Sequence, residues 1–271
     1  MYGLIYEPLA AEKNSYAIGE LPATLCPTEL NDIPEQSNIP PKLTFHPTST
    51  TLRRTSLAIF TVNDLHSFLS MEVSLFCPYS FCKNIEYVLI YGSGFLQTNQ
   101  TSFDFNGESN LDLQYGMALV GPKQDITLYQ TGDDVEGASF NDLLDALDSD
   151  YCGGDDPSQD ATYPDPLGGY QGPKACGTVK PAYVISTSYA YNEADLTPAY
   201  TARQCNEYAK LGMMGTTVLY SSGDFGVAGN GGLCLNPDGS QTKNGTHFNP
   251  SFPGTCPFIT SVGATQGESA L

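Results

Sequence analysis

The chain has 271 residues, 40% of them hydrophobic, which supports one sizeable core and one or two domains. Acidic residues outnumber basic ones 30 to 11, and a formal charge of −19 argues against nucleic acid as a partner. No stretch approaches the ~18 consecutive apolar residues of a membrane span. So acidic a chain suits work in acid, where carboxyls are protonated and self-repulsion falls, though any soluble acidic protein could share that composition.

Eight cysteines, Cys26, Cys77, Cys82, Cys152, Cys176, Cys205, Cys234 and Cys256, form no CxxC pair, against a zinc ribbon or thioredoxin-type site. Two sequons, at Asn99 and Asn244, could accept N-glycans. Together these favour a secreted or lumenal, disulfide-bonded protein. The N-terminal residues lack a basic region and a continuous apolar run, so they do not read as a signal peptide.

Residues 1–54 are rich in Pro, Thr, Asn and Ser and read as a linker, propeptide remnant or extended arm. Residues 55–271 form the main unit. "TSLAIFT", from Thr55, is a short strand candidate, followed by a helical turn in "VNDLHSFLS". Residues 71–100 mix aromatics, cysteines and glycines without a period and give no assignment. "ESNLDLQYGMALV" has a helical pattern, and "DITLYQ" reads as a strand.

In "SFNDLLDALDS", Ser139 is placed to cap a helix whose apolar face is Phe140, Leu143, Leu144 and Leu147. A Gly/Pro/Asp-rich loop follows, from Cys152 to Lys180, and a disulfide from Cys152 to Cys176 is expected to tie it. "PAYVISTSYA" predicts a strand. "TPAYTARQCNEYAKLG" predicts a helix capped by Thr197, with Pro198 in its first turn and Gly212 or Gly215 at its end. Thr216–Tyr220 and "FITSVGA" are further strands. Strands alternating with helices imply an α/β fold built on a parallel sheet.

Two places carry candidate chemistry. Glu108 and Asp112 are four residues apart, about 40° from each other on a helix and in one sector with Tyr115 and Leu119. Turning two carboxyls towards a core is unfavourable unless they share a proton or act on something. The plain alternative is an acidic first turn favoured by the helix dipole. Asp224, in "LYSSGDFG", sits just past a strand end, where α/β sheets place their sites. Its serines lack the upstream glycine of a nucleophile elbow, and too few oxygens cluster for a calcium loop. A structural aspartate in a turn remains the alternative.

"GESNLDLQY", "VISTSYA", "LYSSGDFG" and "NPSFPGTCPFITSVGAT" together resemble, in that order, the sedolisins, the serine-carboxyl peptidases that include tripeptidyl-peptidases. The resemblance covers roughly 103–267, is faint over 55–69, and is absent over 1–25 and 70–100. It implies a subtilisin-like parallel sheet flanked by helices, with the C-terminal part of that fold missing from this chain. It also implies Glu108 as general base, Asp112 as its orienter and Asp224 as side-chain donor of an oxyanion hole. A carboxyl donates a hydrogen bond only when protonated, which favours acid pH.

Ser188, Tyr189 and Ala190, with Gly223, would border a peptide or protein substrate; Ala190 stands where the family has glycine. The family's nucleophile lies in a Gly-Thr-Ser-x-Ser stretch, and no Gly-Thr here is followed by Ser. Its calcium ligands are likewise expected outside this chain. The expected function is therefore an acid-acting serine-type peptidase, whose exo- or endopeptidase action stays open. This chain carries its base, orienter and oxyanion donor but is inactive alone; the alternative is a non-catalytic peptide-binding paralogue.

Overall fold

The computed structural model describes residues 16–20, 85–91, 111–113, 115–117, 119–120, 124–133 and 135–263. Its main sheet contains β1 (Tyr16–Glu20), β2 (Ile85–Ile90), β3 (Ile126–Thr131), β4 (Val184–Thr187), β6 (Thr217–Ser221) and β10 (Thr260–Val262), while β5 (Tyr191–Asn192) pairs with β9 (Ser251–Phe252) and β7 (Cys234–Leu235) with β8 (Gln241–Thr242) outside it. Their spatial order is β10-β6-β4-β1-β3-β2, and every pairing is parallel. The fold is α/β, as the alternating pattern predicted.

Two strands depart from the sequence reading. Tyr16–Glu20 falls within the stretch read as linker or arm, yet it lies between β3 and β4, with Ile18 level with Leu128 and Ser186. Ile85–Ile90 comes from the stretch given no assignment and pairs along β3. The strand and turn expected over 55–70 lie outside the described residues.

Residues 111–113, 115–117 and 119–120 are helical. Helix α1 (Phe140–Leu147) begins with the expected cap. Ser139 Oγ accepts from the Asp142 N–H at 3.2 Å, and Asp142 accepts in return from the Ser139 N–H at 2.8 Å. Only one face was expected to be buried, but all eight residues are. The Cys152–Cys176 disulfide closes the loop that covers the polar side. There Asn141 donates to Asp160 at 2.8 Å, Lys174 pairs with Asp145 at 2.9 Å, and the Gly177 and Val179 N–H groups cap the Asp145 and Ala146 carbonyls.

Helix α2 (Pro198–Met213) starts at Thr197, whose hydroxyl accepts from the Tyr200 N–H. It runs through Gly212, and Gly215, at φ +100°, turns the chain into β6. Phe140 of α1 and Tyr208 of α2 both meet Tyr220 of β6 edge-on, so both helices cover one face of the sheet. The Tyr208 and Tyr220 hydroxyls share a hydrogen bond of 2.8 Å in the core. Cys205–Cys256 ties α2 to the segment before β10.

Burial acts on the acidic groups of this core. It pushes the Asp142 carboxyl up to about 8 and Asp145 up to about 6. Burial, reinforced by neighbouring Asp148, raises Glu207 to about 7. Burial alone would raise Asp148 too, but Lys210, the Asp150 N–H and the Glu207 carboxyl outweigh it and hold it below the usual range. Below about pH 7 Glu207 thus keeps its proton and offers it to the Asp148 carboxylate.

These raised groups bind protons more tightly folded than unfolded. Their contribution is complete below their unfolded values of about 4 and is lost as pH rises through about 6 to 8. Unfolding temperature should therefore fall between pH 5 and pH 8. Glu207→Gln, which keeps a donor for Asp148 and cannot ionise, should stabilise by about 1–2 kcal/mol at pH 8 and change little at pH 4. Equal destabilisation at both pH values would contradict this account. Ser139→Ala should cost about 1 kcal/mol by removing the cap, measured by denaturant unfolding.

Candidate active site

Parallel pairing sets the site. Thr187 of β4 is level with Tyr220 of β6, and Val262 of β10 is level with Ser221. The segments leaving β4 and β6, Ser188–Ala190 and Ser222–Asp224, therefore emerge side by side at the carboxyl edge of the sheet. The Ser222 N–H donates to the Val262 carbonyl at 2.9 Å and carries this order past the strand end.

The turn holding Asp224 is shaped by Gly223, at φ +87°, whose missing Cβ would lie 3.0 Å from Ser251 Oγ. Asp224 is exposed. Phe225 and Val227 beside it are exposed apolar side chains. A carboxyl here is open to a ligand and belongs to a turn clamped from behind. Ser221 is buried in β6, consistent with a structural part for that serine.

Asp112, on the helical segment, is 1% exposed. Burial raises its carboxyl to about 7, opposed by the nearby Ser188 hydroxyl. That hydroxyl is close enough to favour the carboxylate, yet neither Asp112 oxygen has a partner of full hydrogen-bond geometry among the described residues. The structure thus brings Asp112 against Ser188, at the tip of the strand neighbouring the one that ends in the Asp224 turn. At acid pH Asp112 is a neutral carboxylic acid, able to donate a proton to a neighbouring carboxylate.

Glu108 and Asn99 lie outside the described residues. Ser188, Tyr189 and Ala190 are half-buried, and Tyr189 packs against the core. Asn244 is exposed. Among the described residues, no group of three His, Cys, Asp or Glu side chains could hold a metal ion. A cavity of about 360 Å³ lined by Glu86, Thr127, Lys180 and Tyr183 opens at the opposite, amino-terminal ends of the strands.

Sequence reasoning missed a set of side-chain amides behind the site. Asn249 is wholly buried and Asn192 nearly so, and both donate to Gln241 Oε1 at 2.9 Å. Two of the three sit in unremarkable polar stretches; Asn249 alone falls in a segment singled out above. Gly229 lies between Asn192 and Asn249, and an added Cβ would meet them at 2.3 and 2.7 Å. Gly229→Ala should therefore destabilise the fold by about 2 kcal/mol or more, through strain and a displaced buried amide. Gly223→Ala should be felt mainly at the Asp224 turn, through its left-handed backbone. Urea unfolding of the two variants checks both, and wild-type stability in Gly229→Ala would contradict the packing described.

No family model matches the chain. Tripeptidyl-peptidase SED1 of Arthroderma otae is 43% identical over 242 residues, covering 84% of this chain and 35% of that protein. Aorsin of Aspergillus oryzae is 48% identical over 176 residues, covering 59% of this chain and 26% of that protein. Tripeptidyl-peptidase sed1 of Aspergillus fumigatus is 42% identical over 170 residues, or 58% of this chain and 25% of that protein. The chain thus spans between a quarter and about a third of the length of these relatives. By this likeness, and by the four motifs read in order along it, the chain belongs to the sedolisin family.

Proposed function

We propose that these residues form part of a serine-carboxyl peptidase that cleaves polypeptides at acid pH, in the manner of a tripeptidyl-peptidase or an endopeptidase. One observation carries the reading: Asp112 and Ser188 meet at the tip of β4, beside the exposed Asp224 turn at the tip of β6. The peptidase unit would include Tyr16–Glu20 as well as residues 55–271.

In this reading a peptide lies along Ser188–Ala190, held by backbone groups at the end of β4. Glu108 takes the proton of an attacking hydroxyl. Asp112, kept protonated by burial, donates a hydrogen bond that fixes Glu108. Asp224, in its acid form, donates to the oxyanion that develops on the scissile carbonyl. No Gly-Thr-Ser-x-Ser stretch occurs within the 271 residues, so this sequence does not supply the hydroxyl through that motif.

The family likeness implies a calcium ion in the peptidase fold, and none of the residues assigned here is its ligand. The names of the relatives, tripeptidyl-peptidases among them, support a peptide or protein substrate. Disulfides at Cys152–Cys176 and Cys205–Cys256 support a secreted or acidic lumenal setting, and exposed Asn244 is accessible to a glycan, with Asn99 a second acceptor.

The test is turnover of an unstructured polypeptide at about pH 4 by the protein that carries these residues. Asp224→Ala and Glu108→Gln should each lower kcat on the order of 100- to 1000-fold and leave KM within a few-fold. Unchanged turnover in Asp224→Ala would overturn the assignment of its role. Peptide binding with no turnover from any form would make the protein a non-catalytic peptide binder of the same fold.

A further inference from the structure

The segments leaving β4 and β6 are joined by neutral amides. Ala190 leads into β5 (Tyr191–Asn192), which pairs antiparallel with β9 (Ser251–Phe252). Asn192 Oδ1 accepts from the Asn230 N–H at 2.5 Å, and Asn230 Nδ2 donates to the Ala190 carbonyl at 2.8 Å. Asn249 Nδ2 donates to the Leu233 carbonyl at 2.9 Å, and its N–H donates to the Val227 carbonyl at 3.1 Å. Gln241 accepts from both buried asparagines and donates through Nε2 to Asp195. One unit therefore grips the chain at Ala190 on one side and at Val227–Gly229, just past Asp224, on the other.

We propose that this unit sets the separation between the two walls of the peptide cleft, with Asn230 as the positioning residue that holds the Ala190 carbonyl in place. The inference rests on the peptidase reading and deepens it. A carboxamide neither gains nor loses a proton across the working range, whereas a carboxylate in its place would change charge. The amides of Asn192, Asn230, Gln241 and Asn249 thus keep one charge state over the working range, with Asp195 the one carboxylate they contact among the described residues. Side chains of ordinary helix-to-sheet packing would serve stability alone; Asn230 is exposed, and its amide reaches a backbone carbonyl of the segment proposed to border substrate.

The experiment measures binding of a fluorescein-labelled decapeptide of mixed sequence by anisotropy at pH 3, 4 and 5.5, with melting followed in parallel. Wild type, Asn230→Ala and Asn230→Asp are compared at each pH. Asn230→Ala should bind on the order of 5-fold more weakly at all three, the loss of one hydrogen bond, with its melting temperature within a few degrees of wild type.

Asn230→Asp should approach wild-type affinity at pH 3, where its carboxyl donates, and fall to or below the alanine variant at pH 5.5, where its carboxylate faces the carbonyl. A purely structural residue would give no such pH-dependent rescue relative to wild type. Wild-type binding matched by both variants at every pH would overturn this inference and leave the peptidase reading intact. Failure of wild type to bind at any pH would overturn the reading and the inference together.

Discussion

The parallel pairing of Val184–Thr187 with Thr217–Ser221 is the constraint on which the rest depends. Because the strands run the same way, both leave the sheet at one edge, and the crossover between them must return by a helix. Pro198–Met213 is that helix, and the Tyr208–Tyr220 contact seats it on the strand it precedes. A one-residue slip of β6 would turn Tyr220 away from α1 and α2 and displace the Asp224 turn from Ser188. Core packing and site geometry are therefore one requirement.

A second theme is the treatment of acid groups. The net charge of −19 is a property of the whole chain, but the telling carboxyls are inside. Asp112, Asp142, Asp145 and Glu207 are buried, and burial raises each of them. Each is more comfortable neutral, so the fold gains from protons in the range where Asp224 would have to carry one to donate. Stability and the proposed chemistry point to the same side of neutrality, by separate groups. The side chains that join the segments leaving β4 and β6, those of Asn192, Asn230, Gln241 and Asn249, are amides, which respond to no proton.

Much of the region from 125 onward was legible because its signals are local. Ser139 and Thr197 cap their helices, Gly215 reverses the chain, and Cys152–Cys176 closes the loop between them. Tyr16–Glu20 escaped because five residues in polar surroundings carry little period, and their central place comes wholly from partners more than 100 residues away. "IEYVLI" hid for another reason: a parallel strand need not alternate. The polar face of α1 looked exposed because nothing in its own residues announces the loop that covers it. Asp224 and Asp112 were visible as candidates from motif order; the register sets the Asp224 turn beside Ser188, and Ser188 lies against Asp112. The amide unit was not visible, since it joins residues 192, 230, 241 and 249 through folding alone.

The most direct measurement is an NMR titration of the ¹⁵N-labelled chain at about pH 4 with an unlabelled, unstructured peptide. The account predicts that the largest amide shifts fall on Ser188–Ala190 and Gly223–Phe225, the two segments that the β4–β6 pairing sets side by side. Shifts confined to the opposite end of the sheet, around Thr127 and Lys180, would contradict it.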